Sequence, residues 1–170
     1  MSTWKIVIRA ASLASRWHGS QTRNDGTPYF QHPARVATLL ARAGADDELV
    51  AAGYLHDVIE DTPADYDDIA EALGTRIADW VFVMSKDHRL PEDVREPAYK
   101  QQLVDGPWEG RAIKLADQID NFTASIKSGS TPSKKRRKLA AWALEIARED
   151  AHPVSVSLRK TLQSSLDDYA

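Results

Sequence analysis

Apolar residues recur with the period of an α-helix along nearly the whole chain, and no stretch alternates long enough to make a strand. The clearest case is 75–84, where Ile77, Trp80, Val81 and Met84 stand at i, i+3, i+4 and i+7, the spacing of a stripe that packs on a core. Similar patterns predict helices at 3–18, with Ile6, Leu13 and Trp17 facing inward, and from His32–Pro33 through Val36, Leu39 and Leu40 to Gly44. Proline early in that second helix loses no hydrogen bond, and glycine is a natural left-handed stop. Asp46 or Asp47 can cap a third helix that runs on through "AAGYLHDVIEDT", residues 51–62. Further helices are expected at 65–73, 93–104, 109–127, 133–149 and 154–168. Turn-forming stretches separate them, among them "GSQTRNDGTPYFQ", "SKDHRLPED", "DGP" and "KSGSTPS". With no repeat, linker or low-complexity segment, the fold class is all-α, and residues 1–170 are expected to form a single domain.

Composition narrows the chemistry. At 170 residues the chain can bury a core without staples. Cysteine is absent, which excludes disulfides and thiolate metal sites and is compatible with a cytoplasmic location. Lys5, Arg9 and Arg16 interrupt the first residues, so neither a signal peptide nor a membrane span is expected there. A net charge of −3 supplies no general attraction to nucleic acid or acidic lipid, so neither is expected as a partner. An anionic substrate would need a local cluster of cations or a metal.

The anomaly is in 51–62. Ala52, Leu55, Val58 and Ile59 are apolar, yet His56, Asp57, Glu60 and Asp61 crowd into the same stretch. On a continuous helix His56 stacks over Glu60 and Asp57 over Asp61. His56 and Asp57 can still both reach a cation lying off the helix side. An imidazole and a carboxylate are normal ligands for a divalent transition metal without sulfur. His32 in "YFQHPARVA" and Asp117 in "AIKLADQIDNF" are candidate partners, the latter because a carboxylate on an apolar face is costly unless it is paired or ligates a metal.

The stretches "DGTPYFQHPARVATLL", "AAGYLHDVIEDT" and "AIKLADQIDNF", in that order and at fitting separations, resemble the HD-domain metal-dependent phosphohydrolases. More narrowly, they are similar to the hydrolase domain of the RelA/SpoT alarmone enzymes, over about residues 13–127 and more weakly to about 149. The resemblance implies a single HD-domain helical bundle of about eight to ten helices. It makes His32, His56, Asp57 and Asp117 metal ligands, usually for Mn²⁺. It makes Glu60 and Asp61 the acidic pair that positions and activates water. Asn121 corresponds to a contact with the nucleotide sugar, and Arg23 to a basic residue packed on guanine. The implied reaction removes the 3′-diphosphate of ppGpp or pppGpp, with a small-molecule nucleotide as partner; the oligomeric state is left open. No sequence remains here for the synthetase and regulatory modules of the long enzymes, so the expected comparison is a stand-alone small alarmone hydrolase of the metazoan SpoT type.

Several positions depart from the pattern. Ser20 takes a usual glycine position, Asn24 and Gln118 stand where basic residues are common, and Asp120 stands where a ring is frequent. Together they thin the positive charge around a nucleotide, which motivates an alternative substrate such as an adenosine alarmone or a phosphorylated dinucleotide. A silent alarmone-binding sensor is a further alternative, disfavoured because the metal and acidic positions are all filled. Taken singly, the same residues have plainer readings: His32 as a helix cap, His56 and Asp57 as a core pair, Asp117 as a salt-bridge partner of Lys114. Lys114, Lys86 and Arg89 are further candidates for substrate contact, while His18, His88 and His152 are expected at surfaces or turns. The tryptophans are expected mostly in the core, with Trp142 as a candidate pocket wall, and the run "KKRRK" at 134–138 as a solvated helix face or an attractor of phosphates.

Overall fold

The segments with helical period fold as helices. The computed structural model describes residues 3–23, 25–127 and 131–169, so Asn24 and part of "KSGSTPS" lie outside the described residues. In order the elements are α1 (Thr3–His18), α2 (Gln31–Arg42), α3 (Asp47–Leu55), α4 (Val58–Asp61), α5 (Tyr66–Leu73), α6 (Thr75–Met84), α7 (Glu92–Asp105), α8 (Trp108–Lys127), α9 (Lys134–Ile146) and α10 (Pro153–Asp167). Among the described residues the only β pairing is an isolated antiparallel bridge between Thr22 and Pro28. The fold is all-α, and no helix is long and apolar enough to cross a membrane among the described residues.

Local signals act where expected. Asp46, not Asp47, caps α3, accepting the Leu49 N–H at 2.8 Å. Asp65 and Asp68 form a reciprocal capping box on α5. Gly44 ends α2 with φ of +89°, a conformation that other residues adopt at a cost.

The expectation of one helix through 51–62 is corrected. α3 stops at Leu55 and a short α4 begins at Val58, with Asp57 at φ −102° and ψ −3° between them. The cause is local: His56 Nδ1 donates to the Gly53 carbonyl at 2.9 Å. That side-chain bond competes for an oxygen that a continuing helix would bond to the Asp57 N–H.

α3 is the centre of the bundle. Leu49, Val50, Ala51, Ala52, Gly53 and Leu55 are all buried, and α1, α2 and α6 pack around the helix. Its small residues let neighbours approach closely. A Cβ on Gly53 would lie 2.5 Å from Leu40 Cδ1 and 3.3 Å from Ala37 Cα, so glycine sets the spacing of α2 and α3. His32 is carried by α2 and His56 follows α3, so this spacing also sets the distance between the two imidazoles. The tryptophans are mostly core as expected, Trp80 being buried and Trp17, Trp108 and Trp142 packed against the core, whereas Trp4 on α1 is 61% exposed.

Gly53→Val should therefore lower stability to urea unfolding by about 1–3 kcal/mol through overpacking against Leu40 and Ala37. An unchanged unfolding midpoint would show that the α2–α3 contact is not tight.

Candidate metal centre and its cleft

The loop after α1 prepares the first imidazole. The Arg23 N–H bonds Thr27 O at 2.8 Å and the Tyr29 N–H bonds Gln21 O at 2.8 Å, which folds the loop back on itself before the turn into α2. His32 sits in the first turn of α2, with Pro33 beside it where its missing N–H matters least. The side chain is 3% exposed and faces α8 and the α3–α4 break.

His32, His56 and Asp57 offer donor atoms that all lie within 4.8 Å of one another. His32 Nε2 is 3.5 Å from Asp57 Oδ2 and 3.3 Å from Asp117 Oδ1, while His56 Nε2 is 3.1 Å from Asp57 Oδ2. The structure therefore gathers His32, His56 and Asp57 into one set, and Asp117 adjoins it through His32.

Hydrogen-bond directions define what the imidazoles offer. A carbonyl can only accept, so His56 Nδ1 carries a proton toward Gly53, and in the neutral ring the lone pair is therefore on Nε2. Although 3.1 Å from Asp57 Oδ2, that buried Nε2 has no hydrogen-bond partner. A buried nitrogen left this way is costly unless something electron-poor meets it. Two imidazole nitrogens beside carboxylate oxygens suit a divalent transition cation, so the residues fit a metal.

Electrostatics point the same way. Burial would raise the Asp57 carboxyl, but His56 and His32 outweigh it and hold it below the usual range. Burial would likewise raise Asp117, yet Lys114 and His32 keep it well below its ordinary value. Burial would lower His32, but Asp117, Asp120 and Asp57 lift it to about 9. With no cation present, the proton that these carboxylates favour on His32 helps to balance them.

The acidic pair stands just beyond. Asp61 Oδ2 accepts from the Tyr29 hydroxyl at 3.0 Å, and the same hydroxyl reaches Asp57 Oδ2 at 2.6 Å. Burial, then the charge on Asp57, pushes the Asp61 carboxyl above its ordinary value, with Tyr29 opposing. Glu60 accepts the Lys86 N–H at 3.3 Å and lies 3.3 Å from His88 Nε2. Both carboxylates line a cleft of about 270 Å³ with Asp57, Asp117, Asn121, Lys86, Lys114 and Arg23. A larger concavity, about 790 Å³ between α9 and α10, is elsewhere and gathers no comparable chemistry.

Other sequence candidates divide. Arg23 donates to Asn121 Oδ1 at 3.0 Å, so the two act as one unit at the rim. Lys114 lines the cleft and also makes the plainer salt bridge, 2.9 Å from Asp117 Oδ2. Arg89 is corrected: its side chain is 90% exposed and folds back on Asp87, outside the cleft. Trp142 packs near Tyr99 rather than lining this cleft. His18 is corrected from a surface residue to one only 2% exposed, set against the Tyr29 ring at 4.8 Å. His88 is exposed as expected, and His152 caps α10 while stacking on Trp108.

Sequence reasoning missed the residues that hold these groups. Tyr29 bridges Asp57 and Asp61, and Gln118, which stands where the resembled family commonly has a basic residue, donates to Asp117 Oδ2 at 2.9 Å. Arg136, one member of the exposed-looking basic run, lines the cleft together with Leu139. Asp120 binds His32 Nδ1 at 2.7 Å and is met by Arg35. In the sequence Tyr29 lies within a motif, Gln118 and Asp120 stand out as departures and Arg136 belongs to "KKRRK", but none of these signals names a partner.

Comparison with known proteins finds relatives along most of the chain. The HD domain family model matches residues 10–105. The bifunctional (p)ppGpp synthase/hydrolase SpoT of Escherichia coli K12 is 36% identical over 161 residues, covering 91% of this chain and 22% of SpoT. A guanosine-3′,5′-bis(diphosphate) 3′-pyrophosphohydrolase of Aquifex aeolicus is 33% identical over 167 residues, covering 96% of this chain and 23% of that protein. The chain thus spans less than a quarter of the length of these curated relatives. Among solved structures, a metazoan ortholog of SpoT that hydrolyses ppGpp superposes with a TM-score of 0.75 at 24% identity, covering 94% of each chain, a likeness of fold.

A divalent transition cation at about 100-fold over its dissociation constant should stabilise the protein by about 2.7 kcal/mol. Asp57→Ala should abolish that gain in a thermal melt across a panel of such ions, and an equal gain in the variant would place the cation elsewhere.

Proposed function

The chain belongs to the HD-domain family, and we propose that it is a Mn²⁺-dependent 3′-diphosphohydrolase of (p)ppGpp. The observation that carries the reading is the unpartnered, buried Nε2 of His56 converging with His32 and Asp57 beside two further carboxylates in one cleft. Two of the relatives above are named for (p)ppGpp hydrolysis, which supports the substrate.

In this reading His32, His56, Asp57 and Asp117 hold the cation. Bound there, it would lower the pKa of water and offset charge on the attacked phosphoryl oxygens. Glu60 and Asp61 orient the attacking water and take up its proton. The water oxygen forms a bond to the phosphorus attached at the ribose 3′-oxygen, and the bond from that phosphorus to the 3′-oxygen breaks. The leaving oxygen gains a proton, so ppGpp and water yield GDP and pyrophosphate, and pppGpp yields GTP and pyrophosphate.

The cleft is acidic where the cation sits and basic at its rim. Lys86 and Arg136 line it and suit the diphosphates, while the flat guanidinium of Arg23, tied to Asn121, suits a nucleoside. Lys86 also lies 5.2 Å from the Tyr99 ring and pairs with Glu96 at 2.9 Å, which steadies its stem. Glu60 and Asp61 lie in the short α4, directly after the break that ends α3, so their position depends on the packing of α3.

Mn²⁺-loaded protein incubated with ppGpp should release GDP and pyrophosphate in equal amounts. Glu60→Gln and Asp61→Asn should each lower kcat by about 10²–10⁴-fold. Absence of both products, with turnover of an adenosine alarmone in a parallel reaction, would overturn the guanosine assignment. Arg136→Ala should raise KM more than it lowers kcat, and an unchanged KM would remove Arg136 from the phosphate site.

A further inference from the structure

Asp120 is the carboxylate that the proposed chemistry leaves unused. It is only 5% exposed, on α8, three positions beyond Asp117. His32 Nδ1 lies 2.7 Å from its Oδ2, and Arg35 forks onto it with Nε at 2.5 Å from Oδ1 and Nη2 at 3.1 Å from Oδ2. Arg23 Nη1 stands 3.5 Å from Oδ2. A clasp between α2 and α8 would need only the Arg35 fork. The bond to His32 has a separate consequence.

A neutral imidazole must place its proton on one nitrogen. A carboxylate at Nδ1 draws the proton there, keeps Nε2 bare, and fixes the rotation of the ring. Nε2 of His32 is the nitrogen that faces Asp57 and Asp117. Without Asp120, the opposite tautomer or a flipped ring would put a hydrogen where a lone pair is needed. His56 is oriented differently, through the neutral carbonyl of Gly53. The two imidazoles are therefore not equivalent, because only His32 has a charged acceptor behind it. A carboxylate there also makes the ring a stronger donor to a cation. Arg35 offsets the charge of Asp120 and keeps the carboxylate in place.

We propose that Asp120, braced by Arg35, is a positioning residue for His32, holding the ring with Nε2 bare and aimed into the cation site. The proposal rests on the metal-site reading above.

The test is Mn²⁺ affinity, measured by electron paramagnetic resonance of free Mn²⁺ during titration of metal-free protein, alongside thermal melts of the metal-free forms. Asp120→Ala should weaken binding by about 10–100-fold. Asp120→Asn keeps an acceptor but loses the charge, so its affinity should fall between those of Ala and wild type, with a metal-free Tm close to wild type. Wild-type affinity in Asp120→Ala, or in Asp120→Asn if the alanine variant does not fold, overturns the proposal while leaving the metal site intact. Equal loss of affinity and of metal-free Tm in both variants marks a structural clasp and overturns it as well. A wild-type protein that binds no Mn²⁺ removes the metal-site reading, and this inference with it.

Discussion

Three carboxylates, those of Asp57, Asp117 and Asp120, converge on the single imidazole of His32. Each is partly or wholly out of water, where unpaired negative charge is expensive. Lys114 covers one oxygen of Asp117, Arg35 covers Asp120, and Tyr29 hydrogen-bonds Asp57. What these partners leave uncovered is the space between His32 Nε2, His56 Nε2 and Asp57 Oδ2. Placing a divalent cation there satisfies the lone nitrogen and the surplus negative charge together. Much of the surrounding polar structure serves to hold those atoms facing one another.

The helices supply the rigidity. Gly53 and the alanines of α3 let α2 pack closely, so the distance between the imidazoles follows from backbone spacing. The break after Leu55 then turns the chain so that Asp57, Glu60 and Asp61 face one cleft. His56 itself makes the break, through its bond to Gly53. A residue proposed to ligate metal thus also shapes the backbone that carries its neighbours. Substituting it would disturb both roles, which makes Asp57 and Asp120 cleaner probes of the site.

Much of this was legible in the sequence, for physical reasons. Helix existence followed from period and capping, because both are properties of residues a few positions apart. The metal and acidic candidates were legible because charge on an otherwise apolar stripe demands a partner. The break at His56 was hidden, since period alone cannot tell whether a histidine will donate to its own helix. Arg35 and Asp120 were hidden for another reason: they are 85 residues apart, and their pairing exists only once α2 lies on α8. Asp120 read in isolation looked like lost positive charge, whereas in the fold it is matched by Arg35 and directed at His32. His18 was misread because its burial depends on the Tyr29 ring folding over it. Arg136 was only half legible, as charge without direction.

The most direct measurement of the central claim is pulsed electron paramagnetic resonance on Mn²⁺ bound to protein labelled with ¹⁵N only in histidine. The geometry predicts coupling to nitrogens of two different imidazoles, those of His32 and His56, with one coupling lost in His32→Gln. A spectrum of bound Mn²⁺ showing no histidine nitrogen would contradict the account, because the cation would then sit among carboxylates alone.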